Sequence, residues 1–195
     1  MTGATPREFL FALALAIALA AAAGLRAWLP LLLAGGLARL GVLDLGPSFQ
    51  FLASNKALVI FAIATLIEIA GDKIPVVDHA LDAIGTPLRP AAGALLASSV
   101  LGTVSDPLTA IVLGTAVGAP SALVPHAAKS ALRAASTVTT GGLANPAISL
   151  VEDAVALVTF LLAVLVPVLV VVLLGLTLLL ASRWLRRRRR TAPAA

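Results

Sequence analysis

Residues 147–190 read AISLVEDAVALVTFLLAVLVPVLVVVLLGLTLLLASRWLRRRRR. Between Asp153 and Arg183 no side chain is charged. A helix crosses a hydrocarbon core of about 30 Å with about 20 apolar residues, so 147–185 is too long for one span. Pro167 stands near its middle, where a helix loses a hydrogen bond and meets a ring clash. We read two membrane spans that turn at Val166–Pro167, with one long kinked helix as the alternative. The run ends on Arg183 and Arg186–Arg190, six of the fourteen basic residues. A basic cluster directly after an apolar helix acts as a stop-transfer signal and stays cytoplasmic. Arg186–Arg190 are also expected to attract anionic lipid headgroups.

The rest of the chain has the same character. It is 60% hydrophobic and 12% charged over 195 residues, against about 25% charged in a soluble domain. The fold class that follows is all-α: a polytopic membrane helix bundle of about six transmembrane helices. Cysteine is absent, which excludes disulfides, thiolate metal sites and cysteine nucleophiles. Tyrosine is absent too, and Trp28 and Trp184 stand where interfacial anchors sit. The net charge of +5 is no nucleic-acid signal, because the cations crowd the tail and no aromatic-interleaved basic surface exists. Arg7 followed by FLFALALAIALAAAAG resembles a signal peptide. The apolar stretch continues past Arg26 and Pro30 to Leu40, so we expect a retained first span.

That first span covers 8–40 and is expected to kink or break at GLRAWLP, between Gly24 and Pro30. A loop, 41–55, leads to span two at 56–72. Pro75, Gly85, Pro87 and Pro90 then break up a short segment, in which Val76–Ile84 forms an interfacial or re-entrant helix. Span three is 91–104. Asp106 can cap and Pro107 can open span four, which runs to Ala135 and carries Gly114 and Gly118 as GxxxG. A polar loop follows at 136–146.

Residues 1–182 thus form one transmembrane domain, followed by a basic cytoplasmic tail, 183–195. The expected location is the inner membrane, with both termini cytoplasmic. Arg7, Lys73, Arg89, Lys129, Arg133 and the tail then lie inside, as the positive-inside rule asks. The halves 8–104 and 107–185 echo each other. AAGLRAWLPLLLAGGLAR (22–39) can be laid on VGAPSALVPHAAKSALRA (117–134), and TLIE (65–68) on SLVE (149–152). Three spans per half make a three-plus-three inverted repeat the expectation, as in many secondary transporters. A homodimer is also expected, with Gly114 and Gly118 as its contact face.

Charge at the centre of a membrane helix costs about 2.5–3.5 kcal/mol per side chain. Ten charges nevertheless gather in two windows, 68–89 and 126–153. Glu68 and Asp72 are i and i+4 on one helical face. Asp78 and Asp82 repeat that spacing beside His79, and Lys73 and Arg89 flank them. His126, Lys129 and Arg133 share a face of span four, and Glu152 and Asp153 open span five. We take Glu68, Asp72, Lys73, Asp78, Lys129, Arg133, Glu152 and Asp153 as the candidate ion- or substrate-binding set.

Three readings compete. In the first, the chain is a small transporter or channel-like protein for a proton, ion or small solute. Clustered carboxylates repel, which raises at least one pKa, and His79 or His126 could relay a proton. Lys129 and Arg133 are counter-charges or hold an anionic substrate. In the second, the charges only pair and pin the helices, with Asp78, Asp82, Lys73 and Arg89 solvated. In the third, Asp72, Asp78 and Asp82 hold Mg²⁺ for a membrane enzyme acting on phosphate headgroups, but their spacing fits no such site well. No G-x-S-x-G, Walker loop or HExxH occurs, so no catalytic residue, metal or cofactor is assigned.

GLRAWLPLLLAGGLAR, FLAS, IEIAGDKIPVVDHALDAIGTPLRPAAGALLASS, KSALRA and NPAISLVEDAVAL together resemble a bacterial membrane-protein family, domain of unknown function 4126. The resemblance spans about residues 22–170. Its densest block, E-x3-DK-x-P-x2-D, comprises Glu68, Asp72, Lys73, Pro75 and Asp78. Ser149, Leu150, Glu152 and Asp153, and the Lys129–Arg133 pair, also fit the family's pattern. The resemblance implies an integral membrane protein and no biochemistry. Arg26 stands where the family carries Asn, and within the membrane it needs an acid from span two or must snorkel.

Overall fold

The computed structural model describes residues 4–191, apart from the side chains of Pro75, Val76, Asp78, His79, Ala80, Asp82, Val168, Trp184, Leu185 and residues 187–191. The expectations for Asp78, His79, Asp82, Trp184 and Arg187–Arg190 therefore lie outside the described residues. Among the described residues, seven α-helices follow in order: α1 (Pro6–Leu25), α2 (Trp28–Arg39), α3 (Asn55–Gly71), α4 (Pro75–Leu101), α5 (Pro107–Thr140), α6 (Asn145–Leu165) and α7 (Pro167–Thr191). A 3-10 turn, Pro47–Ala53, precedes α3.

Proline opens α1, α4, α5 and α7, where its fixed φ suits a first turn and its missing N–H costs nothing. Local side chains cap the first amides of α1, α3 and α5. Thr5 and Glu8 form a reciprocal capping box on α1. Ser54 accepts from the Ala57 N–H at 3.2 Å, and Asp106 from the Thr109 N–H at 3.0 Å.

The break expected at GLRAWLP is present, and it reverses the chain. Arg26 is extended (φ −136°, ψ 123°) between α1 and α2. A Cβ at Gly24 would meet the Ala122 carbonyl oxygen, and Arg26, just past the end of α1, shares Asp72 with Lys129 and Arg133, further along α5. So α1 runs parallel to α5. The Trp28 end of α2 meets Glu68 late in α3, and Gly35 abuts Leu58 early in α3. So α2 is antiparallel to α3, and 8–40 forms two helices pointing opposite ways.

The break expected between Pro75 and Pro90 is absent. One continuous helix, α4, runs through Pro87 and Pro90. Each proline brings no N–H to the helix ladder, a loss tolerated where neighbouring helices pack closely. That packing is close. A Cβ at Gly114 would collide with the Ser98 backbone nitrogen, and one at Gly118 with the Gly93 carbonyl oxygen. The G114xxxG118 face is thus occupied by α4 within the chain, so it is not the free contact face expected for a dimer. At the other expected turn, Val166 separates α6 from α7, in agreement with two helices rather than one.

The bundle is small-side-in and large-side-out. Ala18–Gly24 of α1 are fully or almost fully buried, and α1 packs against α4, α5, α6 and α7. Ile60, Ile63, Leu66 and Ile67 of α3, Leu108, Ile111 and Val112 of α5, and Val172, Leu176 and Leu180 of α7 are exposed. Small residues let helices approach closely in lipid, where large apolar side chains gain nothing from hiding. Pro6–Leu25, Pro107–Thr140 and Asn145–Leu165 are each long and apolar enough to cross a membrane. The 3-10 turn and α3, bent by 57° at their junction, are apolar enough only when taken together, as a broken span or a re-entrant loop. The chain is an all-α polytopic membrane helix bundle.

Candidate functional site

An apolar bundle must give each buried charge a partner, and five helices supply them here. Arg26, fully buried at the α1–α2 reversal, donates Nη1 to Asp72 Oδ2 at 2.5 Å and to the Glu68 carbonyl at 3.4 Å. Its Nη2 donates to Ser149 Oγ at 3.0 Å and pairs with Asp153. Asp72 Oδ2 also receives Arg133 Nη2 at 3.0 Å and Lys129 Nζ at 3.4 Å. Arg133 then grips Glu152 in bidentate fashion, Nε to Oε1 at 3.1 Å and Nη2 to Oε2 at 2.7 Å. Lys129 meets the same Oε2 at 3.2 Å. Lys129 and Arg133 can do this because i and i+4 on α5 share a face. Lys73, at the exposed rim, lies 3.8 Å from Asp153.

Glu68 has a different task. Its carboxylate accepts the backbone N–H of Ala27 at 3.2 Å and of Trp28 at 3.4 Å. Those amides open α2 and have no intrahelical partner. Pro30 has no N–H, which leaves one donor fewer to satisfy. Glu68 is therefore the cap of a helix remote in sequence, and its charge complements that helix's positive end. Arg89 lies 3.8 Å from Glu68 Oε1 and 2.9 Å from His126 Nδ1. A guanidinium only donates, so Nδ1 accepts and carries no proton. Gly85 lies against the Arg89 guanidinium, where a Cβ would crowd it at 2.9 Å.

Depth follows from helix lengths. At about 1.5 Å per residue, Lys129 and Arg133 lie roughly 33 and 39 Å along α5 from Pro107. Arg26 follows α1, and Glu68 and Asp72 close α3. The cluster therefore occupies one end of the bundle. Beside it a cavity of about 600 Å³ opens between α1, α5, α6 and α7, with Lys129 and Glu152 in its wall.

Of the sequence-derived set, the structure brings together Glu68, Asp72, Lys129, Arg133, Glu152 and Asp153, with Lys73 at the edge. Asp78 lies outside the described side chains. Arg26 finds the acid from span two that it needs. Arg89 is a correction. Solvated in the reading where the charges only pair, it is almost fully buried, because the segment around it is one continuous helix and not a broken one. Glu68 and Asp72 do not face each other as a repelling pair, since each carboxylate turns to different donors. Among the described residues, no three of His, Asp and Glu converge on a point that could hold a metal. Asp72, with three cations on one oxygen, is a poor ligand for Mg²⁺. Sequence reasoning missed Glu68 as a backbone cap and Ser149 as a partner of Arg26.

No curated protein and no solved structure matches the chain. One family model matches residues 13–187, which hold every member of the charged cluster, and it is described as a domain of unknown function (DUF4126). The chain belongs to that family.

Proposed function

We propose that this integral membrane protein is a small transporter or channel-like protein whose solute meets the charged cluster at Lys129 and Glu152. One observation carries this reading. Both residues are buried and ion-paired, and both also line the cavity. Charges that merely pin helices need no access, and burying them is seldom a net gain over apolar packing. A wall that exposes a paired acid and base to a cavity offers exchange of partners: a solute takes one charge while the network holds the other.

Flux in proteoliposomes tests this. Vesicles carrying an internal pH dye are given a pH step with and without an external organic acid. We expect a protein-dependent signal that Glu152→Gln abolishes and Thr159→Val, on the apolar part of the wall, alters. Absence of protein-dependent flux, or flux indifferent to both variants, overturns the reading. The pinning reading retains one specific support: Asp72 is held by three cations and Glu152 by two.

We further propose that the charged end faces the cytoplasm of an inner membrane. Arg26, Lys73, Arg89, Lys129 and Arg133 gather there, and α7 returns along α6 to bring Arg183 and Arg186 toward it. The arginines at 186–190 then meet anionic headgroups of the inner leaflet. Because α1 runs parallel to α5, this reading starts α1 on the outer side, in place of two cytoplasmic termini.

A further inference from the structure

We infer that the cavity binds a single-chain anionic amphiphile drawn from the bilayer, its carboxylate or phosphate head at Lys129 and its chain between α5, α6 and α7. The inference names the ligand class of the site proposed above and rests on that reading.

The wall comes first. Apart from Lys129, Glu152 and two threonines, Thr159 and Thr177, the lining is aliphatic: leucine, valine, isoleucine, alanine and proline. A small hydrated ion gains nothing from such a surface, whereas a hydrocarbon chain matches it. The mouth gives the direction of entry. Leu132, Val151, Val155 and Leu173 line the cavity and are each more than two-fifths exposed, so it opens onto the apolar outer surface of the bundle. A ligand arrives sideways, from lipid. A volume of about 600 Å³ lies within the roughly 300–1,000 Å³ of ligand pockets.

The head follows from charge. Among the described residues, Lys129 and Glu152 are the charged side chains in the cavity wall. Glu152 is already held by both faces of the Arg133 fork, whereas Lys129 has three donors and two carboxylate partners, at 3.2 and 3.4 Å. Lys129 therefore has an N–H to give from the cavity wall. An anionic head accepts that N–H in a charge-assisted bond, whereas a cationic head meets the ammonium and has no acceptor to offer it.

The full chain in phosphatidylcholine nanodiscs is titrated with spin-labelled palmitate, cetyl alcohol and cetyltrimethylammonium. Palmitate is expected to bind saturably, the alcohol about tenfold more weakly for want of the charge-assisted contact, and the cation not at all. Ala128→Trp, which fills the mouth from an exposed position on α5, should abolish palmitate binding without moving the unfolding temperature of the unliganded protein. Lys129→Gln should erase the preference for palmitate over the alcohol. If that variant does not fold, Ala128→Trp still decides. Equal affinity for the acid and the alcohol, preference for the cation, or binding unaffected by Ala128→Trp overturns the inference. Native mass spectrometry adds two overturning results: a retained two-chain phospholipid, or two copies of the chain with no amphiphile. Palmitate binding without any flux keeps this site and removes the transport reading. Proton flux without palmitate binding does the reverse.

Discussion

Lys129 sits between two acids, Asp72 and Glu152, that belong to different helices. Removing it leaves both carboxylates short of a partner, and removing Glu152 leaves Lys129 and the Arg133 fork short instead. Breaking one side of a buried pair costs about 3–5 kcal/mol, because the other charge stays buried. We therefore expect Lys129→Met and Glu152→Gln each to lower stability in denaturant titrations by that order. The double variant should recover part of the loss, with a coupling of about 0.5–3 kcal/mol. Strict additivity would mean that the two charges do not sense each other. Glu68 offers a second check. Glu68→Ala should speed hydrogen exchange at the Ala27 and Trp28 amides, and Glu68→Gln, which keeps one acceptor oxygen, should do so less. Exchange at those amides unchanged in Glu68→Ala would remove the capping role. At this scale the sequence was legible wherever an isolated charge demanded a partner, as Arg26 did. It named the span that holds the partner and left open which of its acids that is. Glu68 reaches amides some forty positions away, and nothing in its neighbourhood announces that. Arg89 was misplaced because the prolines near it on either side read as breaks in the helix.

Elements were legible where punctuation and packing agree. Pro107 after Asp106 marks a helix start by chemistry alone, and α5 begins there. The Thr109 hydroxyl and the Thr109 N–H hold the Asp106 carboxyl below its usual value of 3.8. A carboxylate with a lowered folded pKa stabilises above its unfolded value and loses that contribution as pH falls through the folded one. Acid should thus loosen the start of α5 below about pH 3.8. Asp106→Asn, which caps without titrating, should flatten that limb of an unfolding-temperature profile. An unchanged acid limb in Asp106→Asn would show that another group sets it. Punctuation and packing disagree in α4. Pro87 and Pro90 argue for a break, but glycine contacts with α5 hold the helix through them. Those contacts predict that Gly118→Ala costs about 1–3 kcal/mol by overpacking. Gly36→Ala in α2, where a Cβ meets nothing within 4 Å, should gain up to about 1 kcal/mol from helix propensity. Equal effects at the two glycines would contradict the close α4–α5 approach.

At the scale of the molecule, apolar runs announced the membrane, because no water-soluble fold leaves so much leucine and valine outside. The path of the chain was less legible. A glycine-to-proline interval inside an apolar stretch marks a break and carries no information on whether the next helix continues or doubles back. That choice depends on Glu68 receiving the α2 amides and on Gly24 fitting against Ala122, both contacts distant in sequence. The resulting arrangement can be read out cleanly, since the chain has no cysteine. At about 1.5 Å per residue, the 34 residues of α5 span roughly 50 Å, more than a 30 Å core. Thr103 and Leu143, in the turns at its two ends, must then face opposite compartments. Because α1 is parallel to α5, Arg7 shares the side of Thr103. Single variants Arg7→Cys, Thr103→Cys and Leu143→Cys, treated with a membrane-impermeant maleimide, should sort accordingly. The first two should react from one side in intact cells or spheroplasts, and the third only in inverted vesicles if the charged end is cytoplasmic. Arg7 and Leu143 labelled from the same side, with Thr103 opposite, would restore a single kinked first span and undo the reversal at Arg26. Thr103 and Arg7 labelled only in inverted vesicles would keep the fold and turn the whole bundle over, placing the cluster at the outer face.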